Sequence, residues 1–437
     1  MALLLVAPVL GASFHRDIRP ILQKQCSGCH HPGGASGGLD LTTYAAFKAG
    51  GGRGAAFVAG EADESLTMKY LLAVVRPQMP LGRPPLPQEQ IELFRDWIRG
   101  GAHDDSPASL EESLVKPALY RQAPVITALR YSPDGRLLAV AGNGEILLHR
   151  ADGSGIVARL PGSAERLLSL AFSPDSKILV AGGGTPARFG EVQVWDVAKA
   201  SLLKTMKLTT DTVFGASLAP DGSRIAVGCA DNTVHVFDAV SGEELYKIGN
   251  HENWVLSTVF GVDSKRLVSV ARDRAAKLID ASTGRFLENV NLLRGELTAV
   301  ARHPKQDVVV LGGEERVPYV YLMDRPKNMK IADDTTLVRK LARQNGPIMA
   351  LDWSLDAKLI AVAGAAPEVN LYDAETGELR WALKGHAAGI YSVTFSPDSR
   401  RLATAGFDGQ VRLYDTATGQ LVREFVPVPM VVAGGGQ

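Results

Sequence analysis

Two cysteines three positions apart, Cys26 and Cys29, followed directly by His30, are the residues of this chain best suited to chemistry. In Cys26-Ser27-Gly28-Cys29-His30 both thiols fall on one helical turn. The spacing is that of covalent attachment of a c-type haem: the sulfurs reach two vinyl groups on one porphyrin edge, and the imidazole points at the iron. Covalent attachment lets a small domain hold a large ring with little surrounding core. Two other chemistries use such a pair. A redox dithiol belongs in a thioredoxin-like βαβ pattern, and none surrounds this one. A zinc site on Cys26, Cys29 and His30 or His31 would need a distant fourth ligand, because there is no second cysteine pair.

An iron held by His30 calls for a second axial ligand downstream. Met79, in Arg76-Pro-Gln-Met-Pro80, is the best placed, because prolines on both sides stiffen its loop. Its rivals are Met68, which lies beside the apolar stripe of a helix and suits core filling, His31, which adjoins His30, and His103, past the last helix. The elements that must position these residues are helical. Phe14–Gln25 is loosely helical, with Pro20 breaking its middle. Leu66, Tyr70, Leu71 and Val74 predict a helix over residues 63–75, and Ile91, Phe94, Trp97 and Ile98 predict another from Gln88, ended by Gly100-Gly101. Arg76 to Pro87 reads as an extended proline-rich loop.

The 437 residues are 46% hydrophobic and 22% charged, which excludes a wholly disordered chain. Lys+Arg and Asp+Glu both number 47, so no basic excess marks a nucleic-acid binder. Three cysteines exclude a disulfide framework, and Cys229 reads as a small buried residue in a strand. The apolar run Ala2–Ala12 is too short to span a bilayer. It looks like the apolar part of an export signal without the charged residues that precede one. No other stretch is a transmembrane candidate.

Residues 118–430 are repetitive. A Ser-Pro-Asp-Gly-like turn recurs about every 42 residues, with one longer gap. It stands at 132–135, 173–176, 219–222 and 396–399, and in weaker form at 261–264, 303–306 and 354–357. Alternating apolar residues flank each turn, and a third run ends in an aromatic or apolar residue plus Asp, as at Trp195-Asp196, Phe237-Asp238 and Tyr414-Asp415. Four short strands per repeat, seven times over, predict an all-β seven-bladed propeller. Residues 125–426 resemble a WD-repeat propeller. Gly385-His386, Thr404, Asp408 and Tyr414 stand where that family has its structural His, Ser/Thr, Asp and Trp network. His251, Ser269 and Asp273 match it in the fourth repeat, with Ile279 at the aromatic position. Two lengthened loops, Gly182–Gly190 and Asp333–Asn345, depart from the repeat. The second carries the basic residues Arg339, Lys340 and Arg343.

The amino-terminal part resembles a planctomycete-type class I cytochrome c domain. The match runs through Phe14–Leu22, Cys26–His30, Gly38–Thr42, Met79-Pro80 and Gln90–Ala102. The resemblance implies an all-α monohaem electron carrier, one covalently attached haem c, His30 and Met79 as axial ligands, and haem attachment outside the cytoplasm. The expected organisation is therefore a shortened signal over 1–12, a cytochrome c domain over 13–105, a linker over 106–120 and a propeller over 121–430. The expected function is periplasmic electron transfer to a redox partner protein, with the propeller docking other proteins. Two other classes stand beside it. An oxidoreductase would carry a second cofactor in the propeller, but no ligands converge in the sequence and no catalytic set stands out. A haem-free scaffold would require Cys26–His30 to be an accidental match.

Overall fold

Ser13 precedes the first helical turn, and its hydroxyl accepts from the Arg16 N–H at 2.9 Å while Asp17 accepts from the Ser13 N–H at 2.8 Å, so each end of the turn caps the other. The computed structural model describes residues 11–26, 29–30, 36–106, 119–292, 294–325 and 334–431. Nearly all of the expected signal segment and most of the expected linker lie outside the described residues, as does the tail 432–437. The chain divides into two units, Met1–Val115 and Lys116–Gln437.

The first unit is helical. A π-helical turn at Phe14–Ile18 leads into α1 (Arg19–Gln25); α2 (Tyr44–Ala49), α3 (Leu66–Leu71) and α4 (Gln88–Arg99) follow. Pro20 does not break the segment. It sits in the first turn of α1, where its missing N–H costs no helical hydrogen bond. α3 is shorter than its apolar spacing predicts. Ala73 takes a positive φ of 60° and the Val75 N–H returns to the Lys69 carbonyl at 3.1 Å, which closes the helix end. Val74 is left 70% exposed, and the buried residues of α3 are Met68 and Leu71. On α4 the predicted stripe of Ile91, Phe94, Trp97 and Ile98 is buried. Trp97 meets Phe14, Phe47 and Phe57 with ring centroids 5.4, 5.9 and 4.9 Å away, and its indole N–H donates to the His103 carbonyl at 3.0 Å.

The second unit is antiparallel sheet. Among the described residues the strands form one sheet of seven strands and five of four. The sequence expectation of seven separate four-stranded units meets six hydrogen-bonded sheets. The reason is the strand Ile156–Phe172, which runs unbroken for 17 residues. It pairs with Asn143–Arg150 through its first part and with Ile178–Thr185 through its last. The Gly182–Gly190 insertion is also not an open loop: it lengthens the hairpin of Ile178–Thr185 and Phe189–Asp196. In the other insertion, Leu337–Lys340 is a strand paired with Tyr319–Leu322, and residues 326–333 lie outside the described set. Arg339 donates to the Ala374 carbonyl at 2.6 Å, and Lys340 lies over the Tyr319 ring.

The recurring turn is held by its own side chains. The Ser132 hydroxyl donates to Asp134 at 2.6 Å and accepts the Leu137 N–H at 2.9 Å. Ser173, Ser354 and Ser396 make the same contact with Asp175, Asp356 and Asp398. The fourth position has a positive φ, which glycine takes freely. Yet Ser176, Ser264 and Ser399 occupy it at 60–62°. Their hydroxyls accept the N–H of Asp134, Asp221 and Asp356 in the preceding repeat, at 3.0, 3.2 and 3.1 Å, so backbone strain is exchanged for a bond between repeats.

The WD-type network is present in two repeats. His386 pairs through Nε2 with Thr404 at 2.8 Å and through Nδ1 with Asp408 at 3.0 Å. His251 pairs likewise with Ser269 and Asp273, both at 2.8 Å. Tyr414 departs from the expected arrangement: its hydroxyl donates to the Lys384 carbonyl at 2.8 Å. Other repeats solve the same problem with other residues. Gln344 donates to the Tyr372 hydroxyl at 2.8 Å and accepts from Asn370 at 2.7 Å. Glu191, fully buried, accepts from Ser163 and Gln193, both at 2.6 Å. Glu145, also fully buried, receives the Arg159 guanidinium at 2.7 and 2.8 Å. Each buried polar atom so paired avoids a desolvation cost of about 1–3 kcal/mol.

Candidate functional site

α1 ends at the first thiol. The Cys26 N–H donates to the Leu22 carbonyl at 2.9 Å, and one further turn carries the chain on: the N–H groups of Cys29 and His30 both reach the Cys26 carbonyl, at 3.1 and 3.2 Å. The three residues of the motif are therefore wound into a single turn, as their spacing predicts. The turn is anchored beyond its end. The Leu41 N–H donates to the His30 carbonyl at 3.0 Å and the Ser36 N–H to that of Cys29 at 3.1 Å.

The two thiols differ in setting. Cys26 is half-buried and packs against the helical core, whereas Cys29 is exposed; neither is in a disulfide. Burial pushes the Cys26 thiol up to about 11, and the nearby Arg83 charge pulls the other way without offsetting it. A neutral thiol seated against an apolar core suits thioether formation on an apolar ring edge better than a role as a thiolate nucleophile. The Nδ1 of His30 is buried and has no hydrogen-bond partner among the described residues. These features fit the residues to a haem c.

Met79 lies in the loop between α3 and α4. It packs partly buried against the same core cluster as Cys26. Its N–H donates to the Tyr70 carbonyl at 3.2 Å, which ties the loop back to α3. Arg83, further along, reaches the Lys24 carbonyl and the Gln25 side chain at 3.4 and 3.5 Å, long contacts to the end of α1. The rival methionine, Met68, is fully buried on α3, in keeping with core filling. His103 has its carbonyl engaged by Trp97. His31 lies outside the described residues. Sequence reasoning named Cys26, Cys29, His30 and Met79 and did not name Arg83, which carries no signal beyond being one arginine in a proline-rich loop.

No helix among the described residues is long and apolar enough to cross a membrane.

Comparison with known proteins divides along the same lines. Residues 26–80 match the family model for planctomycete cytochrome C, a span that opens on Cys26 and takes in Met79. Residues 200–238 and 377–415 match the model for the WD domain, G-beta repeat. Among similar curated proteins, the transcription factor unc-37 of Caenorhabditis elegans is 28% identical over 202 residues, covering 45% of this chain and 31% of that protein. WD repeat and SOCS box-containing protein 1 of Homo sapiens is 34% identical over 109 residues, 24% of this chain and 25% of that protein. Protein groucho of Drosophila melanogaster is 33% identical over 123 residues, 28% of this chain and 16% of that protein. The chain thus spans a third or less of the length of these relatives.

Proposed function

We propose that this chain, which joins a planctomycete-type cytochrome c domain to a WD-repeat region, is an exported one-electron carrier whose repeat region docks protein partners. The observation that carries the reading is the single turn Cys26–His30, with one thiol seated against the core and the His30 backbone hydrogen-bonded through both its N–H and its carbonyl. Cys26 and Cys29 would hold one haem c through thioether bonds, with His30 and Met79 as its axial ligands. Bound there, the haem would supply exchange of one electron between ferric and ferrous iron.

The chain's own residues determine how that exchange would be tuned. The Tyr70 carbonyl and the flanking prolines fix where the Met79 loop runs, so the thioether is preorganised. Thioether ligation raises the potential relative to an imidazole in the same place. Phe14, Phe47, Phe57 and Trp97 are buried in the cluster against which Cys26 and Met79 pack, and an apolar shell of that kind would disfavour the extra charge of an oxidised haem. Held by both His30 and Met79, the iron would have no open position for a substrate. Visible spectroscopy of exported protein tests the reading: a sharp reduced α-band of the c type supports it, and its absence contradicts it.

For the repeat region, the proposed architecture is a ring of seven blades in which the long strand Ile156–Phe172 serves two. Three observations favour this. The innermost strands Val213–Leu218, Val255–Phe260, Leu297–Arg302, Ile348–Trp353 and Ile390–Phe395 pack side by side in chain order. Ile156–Phe172 packs beside both Val213–Leu218 and Leu129–Tyr131. Leu129–Tyr131 in turn packs beside Ile390–Phe395, which closes the circle. A docking role is supported by aromatic residues exposed where first strands begin and second strands end. Trp254 stacks on Phe214 at 5.3 Å beneath the Arg272 guanidinium, and Phe407 is 59% exposed. Exposed aromatic and arginine side chains are what protein interfaces favour. Loss of partner binding in Trp254→Ala and Phe407→Ala, with the haem spectrum unchanged, is the expected result.

A further inference from the structure

The hairpin joining Arg224–Cys229 to Val234–Asp238 carries Cys229, Asp231, Thr233 and His235 at every second position. The register pairs Gly228 with Val234 and Val227 with His235, and the Cys229 N–H donates to the Thr233 carbonyl at 3.0 Å. Cross-strand neighbours share a face and side chains alternate along a strand, so Cys229, Thr233 and His235 share one face, with Asp231 in the turn between the strands. The donor atoms of Cys229, Asp231 and His235 all lie within 4.8 Å of one another. A tetrahedral zinc with bonds of about 2.0–2.3 Å holds its ligand atoms about 3.3–3.8 Å apart, so a modest inward movement closes the set.

Two further features bear on a ligand at this cluster. The first is Glu244, whose carboxylate lies 3.1 Å from His235 Nδ1. It takes the far side of the ring and leaves Nε2 turned towards Thr233, 2.9 Å away, and through it towards Asp231. A carboxylate on one nitrogen is the usual device that orients a metal-binding histidine. The second is that packing does not require the thiol. Cys229 pairs with Val213 at the ladder position where Gly313, Gly364 and Gly406 pair with Leu297, Ile348 and Ile390, and where Ala271 pairs with Val255.

We infer that Cys229, Asp231 and His235 form a zinc site, with Glu244 as its positioning residue and a water as the fourth ligand. Asp231 is exposed, which gives the ion and the water a way in. The Thr233 hydroxyl now bridges Asp231 and His235 and rotates aside when the metal enters. Lys247 stays on the other Asp231 oxygen, at 3.3 Å. As the zinc–sulfur bond forms, the thiol proton leaves to solvent. The divalent ion, the thiolate, the two carboxylates and the Lys247 ammonium then sum to zero charge. The inference is independent of the haem.

The test uses the full chain as purified. It is dialysed against zinc chloride and then zinc-free buffer, its metal is counted by elemental mass spectrometry, and its zinc environment is read by X-ray absorption. The expected result is one zinc per chain with one sulfur neighbour at about 2.3 Å. Cys229→Ala, which the Ala271 position shows to be compatible with the fold, and His235→Gln each lower zinc affinity at least tenfold. Glu244→Gln lowers it about 10–100-fold without changing the sulfur signal. Repeating the measurement in Cys26→Ser/Cys29→Ser leaves Cys229 as the sole cysteine and removes any ambiguity over the source of the sulfur. Substoichiometric zinc, zinc without a sulfur neighbour, or zinc that Cys229→Ala retains overturns the inference.

Discussion

The His30 N–H donates to the Cys26 carbonyl at 3.2 Å, so the candidate proximal ligand and the first attachment thiol are locked in one helical turn. The same turn leaves Cys26 half-buried against the core and Cys29 in solvent. In the haem-free chain the two thiols are therefore chemically unequal. Iodoacetamide at pH 8 should modify Cys29 first and Cys26 many-fold more slowly, because burial holds the Cys26 thiol up at about 11 and only thiolate reacts. Peptide mass mapping over time reads the order; equal rates would contradict the seating of Cys26.

Met79→Ala removes the proposed distal thioether while leaving the core residue Met68 in place. The variant should keep its covalent haem but bind added cyanide or imidazole, and its potential should fall, as loss of a thioether ligand requires. Met68→Leu, a volume-conserving change in the core, should cost less than about 1.5 kcal/mol and leave the spectrum intact. If the two variants exchanged these behaviours, the ligand assignment would be reversed.

Asp273 predicts a pH dependence for the repeat region. Burial pushes its carboxyl up, but hydrogen bonds from His251 and from the N–H groups of Glu252 and Ala275 outweigh this and hold it at about 2. Its folded value is thus below the ordinary 3.8, so its contribution is complete above pH 4 and is lost as pH falls from about 4 to 2. That contribution is roughly 2 kcal/mol. Urea unfolding midpoints of wild type should fall over this interval, and those of Asp273→Asn should be lower at pH 7 and flatter in acid.

Asp408 is shared by His386 and Arg412, with Arg412 Nη1 at 2.7 Å from its carboxylate. Asp408→Ala leaves a buried guanidinium short of a counter-charge, although Glu424 remains at 2.9 Å. The expected loss is about 3 kcal/mol. By contrast, Asp196→Ala, which breaks a surface ion pair with Lys199 at 3.7 Å and a turn hydrogen bond from the Lys199 N–H at 2.9 Å, should cost about 1 kcal/mol. Equal effects in denaturant titrations would mean that the His–Asp network is not structural.

The ends of the second unit are clasped together. Tyr120 bridges Met430, with its N–H on the Pro429 carbonyl at 2.7 Å and its carbonyl receiving the Val431 N–H at 2.8 Å. His149 Nε2 reaches the Pro427 carbonyl at 2.9 Å, and Val428 is buried against Tyr120 and Leu147. A chain ending at Phe425 loses this cluster and should be destabilised by about 3 kcal/mol. An unchanged thermal midpoint would show the clasp to be dispensable.

The parts of this chain legible in its sequence were those written in local spacing. Cys26–His30 declares its turn, Ile91 to Ile98 declares α4, and Ser-Pro-Asp-Gly declares its hairpins, because each signal lies within a few residues. What was not legible depends on distant partners. Nothing local says that Ile156–Phe172 would run on unbroken and join two repeats into one seven-stranded sheet, that Ala73 would end α3 early, or that Arg83 would reach back to α1. The polar networks were legible only where the repeat keeps His, Ser/Thr and Asp. Glu145, Glu191 and Gln344 fill comparable roles with different chemistry, and no spacing rule announces them.

The central claim is one haem joined to Cys26 and Cys29. Intact mass measurement of exported protein, with iodoacetamide added under denaturing conditions, tests it most directly. The account predicts the polypeptide mass plus one haem, with a single alkylated thiol, Cys229. A bare polypeptide carrying three alkylated cysteines would contradict it.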